Sequence, residues 1–174
     1  MQFSSASFLL LSLALFGLVS CDFAKVQSDV NDVQTSVNQL NTTLATASGS
    51  DYFQDLSIHN EAQDLNSKLQ AATTDVQATT EPVTESQADQ LINQLTVVEK
   101  TTKQLTDRLI AIKPGFQKAG VTSLVKSDTS ALADSTKSFG ASLVDKAPDS
   151  RKSQAQDLAD KFNADLASAV AAYQ

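Results

Sequence analysis

The stretch AKVQSDVNDVQTSVNQLNTTLAT, residues 24–46, decides the fold. Val26, Val30, Val33, Val37, Leu40 and Leu44 step by four, three, four, three and four residues. A helix turns once in about 3.6 residues, so this rhythm places all of them on one face. Asp, Asn, Gln, Lys and Ser fill the other face. A strand would need alternation, which the stretch lacks. Ser48-Gly49-Ser50 ends the helix, because glycine frees the backbone and serine competes for its hydrogen bonds.

The same rhythm continues outward. A second helix is predicted from Tyr52 to Ala78, with Ile58, Ala62, Leu65, Leu69, Ala72 and Val76 inward and Phe53 and Leu56 at the start of the stripe. Thr79, Thr80 and Pro82 break it. Thr84 is a predicted N-cap, with Gln87 three residues on to complete a capping box. The third helix runs from Glu85 to Lys113, its face built from Ala88, Leu91, Leu95, Val98, Thr102, Leu105, Leu109 and Ile112, widened by Ile92 and Ile110. Lys113-Pro114-Gly115 stops it, with one short turn over Phe116–Ala119. A fourth helix follows from Thr122 to Lys146, with Val125, Leu132, Phe139 and Leu143 inward. After Ala147-Pro148, a fifth runs to Ala172, with Leu158, Phe162, Leu166, Val170 and Tyr173 inward.

These segments predict an all-α protein, a single up-and-down bundle of five main amphipathic helices joined by short links that make neighbours antiparallel. Several inward positions are small or polar: Ala62, Ala72, Thr102, Asp128 and Ser135. Two arrangements suit them. The helices pack closer there, or an apolar void remains that could hold a ligand.

The run FLLLSLALFGLV, residues 8–19, is too short to span a bilayer comfortably and sits where a secretory h-region sits. Val19 and Cys21 occupy the −3 and −1 positions for a cut before Asp22. Residues 1–21 are thus read as a signal peptide and 22–174 as one helical domain. The n-region MQFSSASF departs from the usual pattern in lacking Lys and Arg. Leu18-Val19-Ser20-Cys21 also fits a bacterial lipobox, and an uncleaved anchor is the third reading. The cut removes the only Cys and the only Met, leaving a chain without disulfides that its own core must hold.

Composition narrows the function. The net charge of −7, with Lys spread singly, argues against nucleic acid and against anionic membrane surfaces. A zinc site wants three or four ligands at set spacing, and the chain has one His, His59, and one Cys. No G-x-S-x-G elbow, calcium loop or Gly-rich phosphate cradle is present. His59 is read as a boundary residue on the edge of the second stripe. The chain reads as a non-enzyme without metal or cofactor. Asn41-Thr42-Thr43 is an N-glycosylation sequon, so Asn41 is a candidate glycan site. The ending DLASAVAAYQ carries no lipid-anchor signal, which predicts release from the cell.

Three quoted pieces then carry a resemblance. SIHNEAQDLNSKLQAATTDVQATTEPVTESQADQLINQLT (57–96), IAIKPGFQKAG (110–120) and DLASAVAAYQ (165–174) resemble the fungal hydrophobic surface-binding protein A and cell-wall galactomannoprotein family. The likeness implies a secreted helical bundle that binds fatty acids in a central apolar cavity, or adsorbs to hydrophobic surfaces and helps recruit a secreted hydrolase. A fungal source would make the lipobox irrelevant, so Cys21 leaves with the leader. Without the Ser/Thr stalk of wall-anchored members, the expected location is extracellular, at most loosely associated with the cell wall. The alternative is a secreted helical interaction module, an effector or antigen that grips a partner protein.

For the cavity, the candidate lining residues are Leu65, Leu69, Leu91, Leu95, Val98, Leu105, Leu109, Leu132 and Phe139. Arg108 and Lys113 are the candidate contacts for a carboxylate head.

Overall fold

The structure, a computed structural model, describes residues 21–174. The signal-peptide expectation therefore falls outside the described residues, apart from Cys21, which opens the first helix. The helices are α1 (Cys21–Thr46), α2 (Tyr52–Ala78), α3 (Glu85–Ala111), α4 (Lys113–Ala119), α5 (Thr122–Lys146) and α6 (Asp149–Ala172), with no strand among the described residues. The all-α expectation holds.

Local chemistry sets the helix starts. The Asp51 side chain accepts from the N–H groups of Phe53 and Gln54, capping α2. Thr84 and Gln87 form the predicted capping box at α3. Each such cap is worth about 1 kcal/mol. Pro114 does not merely stop α3. It lies in the first turn of α4, where its missing N–H costs nothing. A seven-residue helix thus stands where the sequence suggested a single turn. Its packing explains it, since Phe116 is fully buried.

The six residues of the α1 stripe are all buried, as are the stripes of α2 from Ile58 to Val76 and of α3 from Ala88 to Leu109. Phe53 and Leu56 depart from expectation. They are 81% and 39% exposed, beside Tyr52 at 62%. Asp55, between them, is buried on the face of Ile58, so Phe53 and Leu56 lie on the outer side of the opening turns of α2.

The five long helices close into a ring in the order α1, α2, α5, α6, α3, and back to α1. Directions alternate along the chain, but an odd ring cannot alternate all the way round. Only α1/α2 and α5/α6 are antiparallel. The parallel pairs show in their bonds. His59 and Asn66 of α2 meet Asp128 and Ser135 of α5 at 2.8 and 2.6 Å. Asp89 and Leu109 of α3 meet Arg151 and Tyr173 of α6 at 2.5 and 2.7 Å. Gln94 of α3 donates to Asn31 and Gln34 of α1, both at 2.7 Å, while Arg108 reaches the far end of α1. The expectation that consecutive helices are antiparallel neighbours is corrected here. Neither α2 and α3 nor α3 and α5 pair, because apolar stripes specify burial, not partners.

The ring has two unlike ends. At one, α4 crosses from α3 to α5 and seats Phe116 against Tyr173, ring centres 6.4 Å apart. Gly49, at φ +71°, and Gly115 let two backbones touch there, since a Cβ on Gly115 would stand 2.1 Å from the Ser48 carbonyl oxygen. At the other end lie the start of α1, the α2–α3 loop, residues 79–84, and the end of α5, whose Lys146 donates to the Thr79 carbonyl.

Candidate functional site

The ring encloses a cavity of about 120 Å³. All five long helices wall it: Val33 and Val37 from α1, Leu65 and Leu69 from α2, Leu91, Leu95 and Val98 from α3, Leu132 and Phe139 from α5, Leu158 and Phe162 from α6. Aliphatic and aromatic groups dominate this wall, so water gains little by entering and an apolar ligand gains the burial of its surface.

Eight of the nine candidate lining residues meet at this cavity, and Leu109 lines a smaller one of about 30 Å³ at the plugged end. Leu40, Leu105 and Leu132 border both. The sequence reading missed the contributions of α1 and α6. Their stripes carried the same signal as the others, but only a ring order shows that every stripe faces one space.

The small and polar inward positions have separate explanations. The Thr102 hydroxyl, the one of that set on the main cavity wall, donates to the Val98 carbonyl at 3.0 Å. Ser135 donates to Asn66, and Asp128 takes His59 and Gln63, both at 2.8 Å. His59 is thus half-buried, as a boundary residue should be, and its ring ties α2 to α5. Ala62 and Asp128 border the smaller cavity, as does Asp55. Both Asp55 carboxylate oxygens are buried without a hydrogen-bond partner. Burial, and next the Asp51 carboxylate, push its carboxyl above the usual range.

Arg108 and Lys113 stand away from the cavity. Arg108 donates from Nε to the Leu44 carbonyl at 3.1 Å and from Nη2 to the Ala47 carbonyl at 2.6 Å, capping the end of α1. Lys113 donates to the Ala172 carbonyl and sits 5.6 Å from the Tyr173 ring centre. Both serve the orphan carbonyls of helix ends, a demand that spacing did not reveal.

The charged residues on the cavity wall are instead Lys146 and Glu81, at the loop end. Lys146 lies in the last turn of α5 and donates to the Thr79 carbonyl at 2.7 Å, latching the α2–α3 loop. Arg151 grips Asp89 through both Nε and Nη2, at 2.5 and 3.1 Å, and braces the same end. That contact holds the Asp89 carboxyl below its usual range. Asn41 is half-buried within α1. Among the described residues, no group of three His, Cys, Asp or Glu side chains converges as a metal site, and no helix is long and apolar enough to cross a membrane.

These features define a class: an all-α protein whose helices close a ring around an apolar cavity. Residues 23–145 match hydrophobic surface binding protein A, and the chain belongs to that family. The fold resembles the crystal structure of AFMP4P in complex with palmitic acid, at 28% identity and a TM-score of 0.82, over 87% of this chain and 99% of that one. It also resembles ligand binding domain 1 of the Penicillium marneffei MP1 protein complexed with arachidonic acids, at 16% identity and a TM-score of 0.81, over 88% of this chain and 99% of that one. Ligand binding domain 2 of the same protein, with multiple arachidonic acids, gives 17% and 0.81, over 89% and 97%. At these two identities the likeness concerns the fold. No curated protein matches the chain significantly.

Proposed function

We propose that the protein is a secreted, non-enzymatic carrier that holds a long-chain fatty acid inside the helical ring, its carboxylate at the loop end. The observation that carries this reading is the apolar cavity walled by all five long helices. The palmitic acid in the related AFMP4P structure supports the ligand class. Burying a methylene is worth ~0.8 kcal/mol, so a sixteen-carbon chain offers about 12 kcal/mol gross. Ordering and association consume much of that, leaving affinity in the micromolar range.

Lys146 supplies the charge for the head group. Its ammonium already faces a carbonyl at the cavity rim, and a carboxylate is the stronger acceptor. Displacement of a fluorescent fatty acid tests both points. Palmitate should compete at micromolar concentration. Lys146→Met should weaken palmitate severalfold and leave its methyl ester unchanged. Failure of palmitate to compete would end the carrier reading. Equal losses for acid and ester would remove Lys146 from the head-group role.

A second reading, adsorption to hydrophobic surfaces, rests on Tyr52, Phe53 and Leu56. Tyr52 and Phe53 stack edge to face at 5.9 Å on the outside of the plugged end. Aromatic groups on an exposed helix start suit contact with a wax or polyester. The double variant Tyr52→Ser, Phe53→Ser should deplete less onto polystyrene beads while binding palmitate normally. Undiminished depletion would rule the patch out as the anchor.

A further inference from the structure

Resting on the carrier reading above, we infer that a layer of three leucines, Leu40, Leu105 and Leu132, fixes the length of the acyl chain that the protein accepts. These side chains come from three different helices and are the ones that border both cavities. Each is buried. They lie at one level of the ring, because α1 and α3 run parallel while α5 runs against both. The main cavity ends on the layer, and the smaller cavity begins behind it.

The depth from the loop end to the layer follows from helix geometry. Lys146 and Leu132 are fourteen residues apart on α5, and Val26 and Leu40 are fourteen apart on α1. At 1.5 Å per residue each span is about 21 Å. An extended hydrocarbon with ~1.5 Å bonds and ~111° angles advances about 1.25 Å per carbon. A head group on Lys146 therefore brings the methyl end of a chain of roughly 16–18 carbons to the leucine layer.

Beyond the layer the environment changes. The smaller cavity has Asp55, His59 and Asp128 in its wall, and both Asp55 oxygens lack partners. A methyl group passes only by parting the leucines, which strains their packing. Extra carbons beyond the layer thus bring no further gain.

The test is a binding series of saturated fatty acids from twelve to twenty-four carbons on the full mature protein. With wild type, affinity should rise severalfold per added carbon and level off at 16–18 carbons. Leu132→Ala joins the two cavities, and its plateau should move to 20–22 carbons, with at least tenfold tighter binding of the twenty-two-carbon acid than wild type. Leu40→Ala provides the same reading should Leu132→Ala not fold, and Leu132→Phe should shorten the preferred chain. A wild-type series that rises without a plateau overturns the ruler, as does a plateau unmoved in the alanine variants. Absence of binding at every length would overturn the carrier reading itself, and the ruler with it.

Discussion

Phe116→Ala lowers the melting temperature by roughly 12 °C. Phe116 is fully buried and is among the largest side chains in that state. Truncating such a residue costs about 3–5 kcal/mol, from lost transfer energy and from the cavity left behind. For a domain of this size each kcal/mol moves the midpoint by about 2–4 °C. Collapse into the gap is hindered on several sides. The Tyr173 hydroxyl is fixed by donation to the Leu109 carbonyl at 2.7 Å, and the backbones at Gly49 and Gly115 are already in contact. Phe116→Leu should cost much less, since it keeps most of the volume. Thermal unfolding followed by circular dichroism checks this. A drop below about 3 °C for the alanine variant would show that α4 is not the plug described.

Asp55→Leu stabilises the protein at neutral pH, by about 2 kcal/mol, the penalty typical of an unsatisfied buried polar group. That corresponds to roughly 6 °C in the melting temperature. The two side chains have the same number of heavy atoms in the same branching, so the substitution changes polarity with little change in shape. Asp55 does gain something from its place in the first turns of α2, where the helix dipole favours a negative charge, but that is worth only about 0.3–1 kcal/mol.

The pH dependence has a definite sign. Burial places the folded Asp55 carboxyl above its unfolded value, so the folded state takes up the proton first. Its penalty is present at neutral pH and is relieved as the pH falls through the folded pKa towards the unfolded value near 4. Asp165, raised first by burial and then by Glu99, acts in the same direction. Asp64 and Asp89 are lowered by hydrogen bonds from Lys68 and Arg151, and their contribution is lost only below about pH 4. Wild-type stability should therefore rise on mild acidification from pH 7, and the advantage of Asp55→Leu should shrink as pH 4 approaches. An advantage that is equal at pH 7 and pH 4 would contradict this account.

Periodicity carried the helices well. The stripe from Val26 to Leu44 is buried as read, and Thr84 with Gln87 starts α3 as read. Spacing also found most of the cavity wall, because a residue that faces the centre of a ring is apolar for the same reason as one that faces a solid core. What spacing could not hold is pairing across the ring. The α2–α5 contact depends on Asp128 and Ser135 meeting His59 and Asn66, more than sixty residues away in the chain. The same limit applies to Arg108 and Lys113. The sequence offers them as contacts for a carboxylate head, and both are engaged by carbonyls of other helices. Lys146 ends its helix in the sequence, and the Thr79 carbonyl that it meets is 67 residues away in the chain.

The odd ring has a consequence for how stability and occupancy are linked. Like a cask with five staves, it has no spare member, since each long helix leans on two others of the five and encloses one shared space. Pulling out any stave floods the interior, so the chain could not lose a helix and keep a ligand in that space. Occupancy and folding then become one equilibrium, in which cargo at a hundred times its dissociation constant adds about 2.7 kcal/mol to the closed state. The melting temperature would accordingly track how full the ring is.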